Sequence, residues 1–172
     1  MPDDENRKNI ATVYSAMKEI PEVELVVKLH PNEDQNAPLY KQNPILRPRI
    51  IGGQADTFLL LHASDIAMTK SSTTGLEAIA FEKPLIILNL SGKPDIVDFV
   101  SEGVAVGVYS PDEFRDVVLN ILSGKVDLSK NRERYIQQKL YKIDAKASHR
   151  VVNIIKDLLK SKQSINSKQP GL

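Results

Sequence analysis

The chain has 172 residues, 23 Lys or Arg against 22 Asp or Glu, and a formal net charge of +1. Its apolar fraction of 41% and charged fraction of 26% are those of an ordinary globular domain and exclude wholesale disorder. Near-neutral charge gives no footing to a dedicated nucleic-acid or anionic-membrane binder, whose affinity is built from clustered Lys and Arg. The absence of Cys excludes disulfides, thiolate zinc sites, iron–sulfur clusters and Cys nucleophiles, and fits a reducing compartment.

Strand-like and helix-like stretches alternate along the chain, the pattern of an α/β domain with a mostly parallel sheet. The first residues, Met1-Pro2-Asp3-Asp4-Glu5-Asn6, are acidic and lack the basic and apolar regions of a signal peptide. Ile10, Val13, Met17 and Ile20 then recur at helical spacing and predict a helix from near Asp3 that is ended by Pro21. Apolar or β-branched runs predict strands at residues 23–29, 49–51, 65–69, 85–90 and 104–109. The run at 85–90 hardly alternates, as expected of a strand covered by helices on both faces. Even with Pro84 it falls far short of the roughly 20 residues that cross a bilayer, so no transmembrane segment and a cytoplasmic protein are expected.

Ser110-Pro111-Asp112-Glu113 is a capping box with Pro at the first helical position. It opens a predicted helix over 111–122, in which Phe114, Val117, Val118, Ile121 and Leu122 form one apolar stripe. Val151, Ile154, Ile155, Leu158 and Leu159 form another, in a helix beginning after Asp144. Residues 161–172 are polar and read as a disordered tail, leaving one domain over residues 3–160.

The chemistry concentrates in residues 64–80, SDIAMTKSSTTGLEAIA, where a strand ends near Thr69 and a helix starts near Gly75. Between them lies a hydroxyl-rich turn, Ser71-Ser72-Thr73-Thr74. Free N–H groups at a helix N-terminus form a natural anion site, and ligands of open α/β sheets sit at the carboxyl ends of strands. Ser and Thr hydroxyls add rotatable donors, and Gly75 would let a phosphate approach the backbone. Glu77, in the first helical turn, would repel a phosphate and suits a neighbouring ribose, accepting from its hydroxyls. The competing reading is that Thr74-Gly75-Leu76-Glu77 is a capping box that needs no ligand. Neither G-x-x-x-x-G-K-[ST] nor G-x-G-x-x-G occurs, which disfavours a P-loop NTPase and a standard NAD fingerprint.

Two further loops fall on the same predicted edge. His30, followed by Pro31, leaves the first strand where an imidazole can donate to a phosphate or act as acid or base, although a strand-end His is often an ordinary loop residue. Ser91-Gly92-Lys93 follows the 85–90 strand and would cap a sugar or phosphate, or form a plain turn. His62 and His149 read as helical surface residues, and the three His show no metal-ligand spacing.

Three segments in this order, VVKLHP at 26–31, DIAMTKSSTTGLEA at 65–78 and FEKPLIIL at 81–88, resemble the C-terminal nucleotide-binding domain of GT-B-fold sugar-nucleotide enzymes. Within that group the chain is similar to UDP-N-acetylglucosamine 2-epimerases and to capsule or wall-polymer glycosyltransferases. The resemblance implies a Rossmann-like parallel sheet with helices on both faces. It implies that Ser71, Ser72, Thr73 and Thr74, with Gly75, hold the diphosphate of a UDP-, CMP- or CDP-linked sugar. Glu77 would take the ribose, His30 would act beside the phosphates, Ser91 and Gly92 would close the site, and Gly53 would lie near the base. No metal is implied. Epimerases carry Asp-Ser-Gly-Gly and Thr-Glu-Arg-Pro elements where this chain has Thr69-Lys70-Ser71-Ser72-Thr73-Thr74 and Leu90-Ser91-Gly92-Lys93-Pro94, which favours a transferase; an epimerase domain and a non-catalytic binding module are the alternatives. Domains of this kind open with a strand before the first helix, and that strand is central in the order 3-2-1-4-5-6. The implied consequence is a weakened sheet centre, filled by an N-terminal acceptor domain, a partner chain, a homodimer or rearrangement.

Overall fold

All five predicted strands form: β1 (Val26–Lys28), β2 (Arg49–Ile51), β3 (Ala67–Thr69), β4 (Leu85–Leu88) and β5 (Val106–Val108). The computed structural model describes residues 2–33 and 48–166, with side chains for 7–33 and 48–162. It comprises two units, Met1–Tyr135 and Ile136–Leu172.

The α/β class is as expected, and every strand pair is parallel. The sheet, however, is in two pieces: β1 pairs with β2, and β3-β4-β5 form a separate three-stranded sheet. The register sets Ala67 beside Leu85 and Ile86 beside Val106. Leu85, Ile86, Ile87 and Leu88 are all buried, because β4 is central in its sheet and helices cover both faces.

Successive β4 side chains point to opposite faces and so sort the helices. Ile86 and Leu88 join a core with Val13, Tyr14 and Met17 of α1 (Pro2–Met17) and with Phe114, Val118 and Ile121 of α4 (Phe114–Leu122). Leu85, on the other face, meets α3 (Thr74–Ala80) at Gly75. Beside α3 lies α2 (Thr57–Ala63), with Phe58 and Phe81 rings stacked 5.7 Å apart. The capping box at Ser110 forms as read, closing a short 3₁₀ turn over Pro111–Glu113 that leads into α4.

Two helices had no bounds in the sequence pattern, although His62 of α2 read as helical. In α2 there are only seven residues, started by Asp56, whose carboxylate accepts from the Phe58 and Leu59 N–H groups. In α5 (Ser129–Leu140) polar residues dominate and Tyr135 alone is fully buried, so no stripe advertises the helix. The second unit carries α6 (Ala147–Asn166), which runs straight through the 160/161 boundary expected for a disordered tail. Residues 161–166 contain neither Gly nor Pro, and Lys and Gln are good helix formers, so nothing local stops the helix. The rest of that tail, 167–172, lies outside the described residues. The α6 stripe is exposed rather than buried, from Ile155 at 50% to Leu158 at 65%. Among the described residues, no helix is long and apolar enough to cross a membrane.

Candidate functional site

The candidate loop residues fall at the carboxyl ends of strands, His30 after β1, Gly53 after β2, Ser71–Thr73 after β3, Ser91 and Gly92 after β4, while Thr74, Gly75 and Glu77 lie in the first turn of the helix that follows β3. Amino-terminal approaches to both sheets, Val23 and Leu25 before β1 and Ile66 before β3, pack on the same α1-centred core.

The turn after β3 is built by its own hydroxyls. The Ser72 N–H donates to Thr69 Oγ1 at 3.3 Å, the Thr74 N–H donates to Ser72 Oγ at 3.1 Å, and the Ser72 hydroxyl donates to Thr74 Oγ1. This spiral leaves the N–H and hydroxyl groups of Ser71 and Thr73 without a partner among the described residues. Helix α3 starts at Thr74 with Thr73 as its N-cap, already helical in backbone, and no side chain caps it. The capping box that competed with a ligand site is therefore not formed. Glu77 is half-buried in the first turn of α3, and its carboxylate has no hydrogen bond or ion pair among the described residues. A carboxylate held partly out of water without a donor is an incomplete arrangement, and an added hydroxyl pair would complete it.

Gly75 has a role other than the one expected. A Cβ there would sit 2.6 Å from the Phe99 ring and 3.3 Å from Leu85 Cδ2, so the missing side chain makes room for core packing. The space reserved by this glycine faces the interior, not the turn.

At the other sheet, Gly53 is pressed on the backbone of the His30-Pro31 loop, where a Cβ would come within 2.4 Å of Pro31 Cα. Lys28 Nζ ties the same corner by donating to the carbonyls of Leu29 and Gly53. His30 is exposed; its Nδ1 accepts from the Asn32 N–H at 3.2 Å, and its own N–H donates to Glu33 Oε2 at 2.7 Å. That contact assigns Nδ1 as acceptor and leaves Nε2 as the nitrogen turned to solvent chemistry. No hydrogen bond joins this corner to the Ser/Thr turn among the described residues.

The loop after β4 satisfies itself. The Ser91 hydroxyl donates to Asn89 Oδ1 and accepts from the Lys93 N–H, while Gly92 sits at φ 69°, a left-handed turn position. Buried Asn89 donates through Nδ2 to the Lys93 carbonyl and to Asp95 Oδ1. Of the two readings for Ser91 and Gly92, this geometry is that of a turn closed on itself.

Sequence reading missed what lies beyond that loop. Asp95, Ile96, Val97, Asp98, Ser101 and Tyr109 line an open cleft of about 480 Å³. The Tyr109 hydroxyl donates to Asp95 Oδ2 at 2.7 Å, and Tyr135 donates to Asp98. The bond to Asp95, aided by burial and by the charges of Asp95 and Glu113, pushes the Tyr109 pKa up to about 12. Burial first, then the bond to Asp98, raises that of Tyr135 as well. These partners are 14 and 37 residues apart, so no local pattern announces them.

Among the described residues no group of three His, Asp or Glu is placed to hold a metal ion. Compared with family models and with curated proteins, the chain matches none.

Proposed function

We propose that this chain is the nucleotide-sugar-binding C-terminal domain of a GT-B-type glycosyltransferase, holding a donor diphosphate at the Ser71–Thr74 turn. The observation that carries the reading is the half-buried, unpartnered Glu77 carboxylate one turn from unpartnered Ser71 and Thr73 donors. Donors belong with phosphate oxygens, and a carboxylate acceptor belongs with a vicinal diol; a nucleoside diphosphate offers both at that spacing. Its cytoplasmic setting and its donor, a UDP-, CMP- or CDP-linked sugar, belong to the same proposal.

In this reading the hydroxyls and N–H groups stabilise charge that builds on the leaving diphosphate, electrostatics aimed at the transition state. His30 would act across the site through Nε2. Chemistry would need an acceptor-binding partner, so the chain alone binds donor and turns over little.

The test is a calorimetric or NMR titration with UDP, CMP, CDP and GDP. One nucleotide should bind, and Glu77→Ala and Thr73→Ala should each weaken it by about 10–100-fold, the usual effect of losing bonds to a charged group. Folded variants that bind as well as the parent, or a folded parent that binds none at millimolar nucleotide, would leave a non-catalytic module as the better reading.

A further inference from the structure

The residues that join α5 to α6, Tyr141-Lys142-Ile143-Asp144-Ala145-Lys146, make a bend that their own sequence does not call for. Neither Gly nor Pro occurs between Ser129 and Asn166, so no residue breaks the helix, and Ala and Lys are among the better helix formers. The apolar pattern also runs straight through the bend. Leu140, Ile143, Ala147, Val151, Ile154 and Leu158 recur every third or fourth residue, the spacing that puts them on one face of an unbroken helix. Nor is the bend held by burial, since Tyr141 and Ile143 are both exposed.

Two of its residues hold backbone conformations that cost free energy. Tyr141, at φ 62°, is the centre of a three-residue turn in which the Lys142 N–H donates to the Leu140 carbonyl at 2.7 Å, and positive φ marks the strained hand of such a turn. Ala145 has φ 54°, in the left-handed region that disfavours a residue with a Cβ. One arginine opposes this cost. Arg150 Nη1 donates to both oxygens of Asp144, at 2.9 and 2.8 Å, and its guanidinium lies 5.3 Å from the centre of the Tyr141 ring. Lys142 Nζ lies 5.3 Å from the same ring, and Asp144 Oδ1 also accepts from the Lys146 N–H. None of the Arg150 contacts survives in a straight helix. Asp144 and Arg150 are six residues apart and Tyr141 is farther still, and those spacings fall on different helix faces.

We propose that residues 141–146 are a two-state hinge, bent while Arg150 clasps Asp144 and Tyr141, and helical when the clasp opens, so that α5 and α6 become one helix over residues 129–166. The clasp exists in one state only, which is what a contact needs in order to shift an equilibrium. The bent state carries the strain at Tyr141 and Ala145 and two extra helix ends with unpaired backbone groups. The straight state removes both costs and loses the clasp. The Arg150 and Asp144 side chains are 33% and 32% exposed, so salt screens the pair and favours opening. Opening brings Leu140 and Ile143 into line with the α6 stripe and lengthens its apolar face. The clasp lies within the second unit, so the inference is independent of nucleotide binding.

Backbone chemical shifts of the whole chain, read by NMR at residues 141–146, test it. The parent should show non-helical shifts there, with left-handed values at Tyr141 and Ala145. Arg150→Gln, which keeps helix propensity, and Asp144→Asn should each raise the straight-to-bent ratio by about tenfold, the loss of a charge-assisted pair. Helical shifts should then spread through all six residues. Ala145→Gly added to either variant should restore the bend, because Gly takes the left-handed backbone freely and weakens a helix. Lys156→Gln, a charge lost from α6 outside the clasp, should change nothing. Salt at about 1 M, where the screening length falls to about 3 Å, should move the parent in the direction of Arg150→Gln. Four results overturn the proposal: helical shifts in the parent, a bend that outlasts both clasp variants and high salt, random-coil shifts in place of helical ones, or a helical gain that survives Ala145→Gly. Unchanged Ile86 and Ile87 shifts report that the rest of the chain is folded, and if a variant loses them the salt titration of the parent decides.

Discussion

At the residue scale the site is decided by which polar groups already have partners. Ser91 and Glu77 were both candidates from the sequence, yet Ser91 is spent within its own loop while Glu77 has nothing to accept from among the described residues. Burial without a partner is costly for a carboxylate, and a ligand is one way to remove the cost. The Tyr109–Asp95 pair is the residue-scale feature with a pH signature. Its folded pKa lies above the usual value, so the stabilisation is complete below about pH 10, the unfolded value, and is lost as pH rises through about 12. Ultraviolet difference titration of the parent against Tyr109→Phe should place this ionisation near 12, and Asp95→Asn should bring it back toward about 10. Ionisation near 10 in the parent would mean the bond is not held in solution.

At the element scale, two helix ends use the same geometry with different residues. After α4, Gly124 takes φ 70° while Gly124 and Lys125 donate back to the Ile121 and Asn120 carbonyls. After α3, Glu82 takes φ 59° with the same pair of bonds, to Ile79 and Ala78. Both are left-handed helix stops, but only glycine adopts that backbone without steric cost. Glu82→Gly should therefore raise stability by about 1 kcal/mol in urea unfolding, since the Arg132 bond to residue 82 uses the backbone carbonyl and survives. The helix starts were legible to different degrees. Ser110-Pro111-Asp112-Glu113 could be read directly because its cap is local. The candidate box at Thr74, which has no Pro to mark it, did not form, because Ser72 and Thr69 took over the hydrogen bonding of the turn.

At the scale of the whole molecule, β4 is the centre of gravity. Its four residues are buried, and they anchor α1, α3 and α4 on opposite faces. The β1-β2 pair is a two-stranded sheet with half-exposed residues, and two strands alone are marginal. Native-state exchange in rising urea should place the Ile86 and Ile87 amides near the global unfolding free energy. Val27 and Ile51, which bond across β1 and β2, should open earlier by a local route. A shared opening free energy would show one cooperative sheet instead.

The α/β class, the five strands, the N-terminal and capped helices and the carboxyl-edge position of the candidate residues were all determined by the sequence itself. They rest on periodicity, capping and turn chemistry, which act over a few residues. Tertiary structure alone decided the rest. Gly75 proved to serve Phe99, the α6 stripe proved exposed, and Tyr109 found Asp95 across an intervening strand. The division of the five strands into two sheets is of the same kind, because strand pairing depends on partners distant in the chain and leaves no local signal.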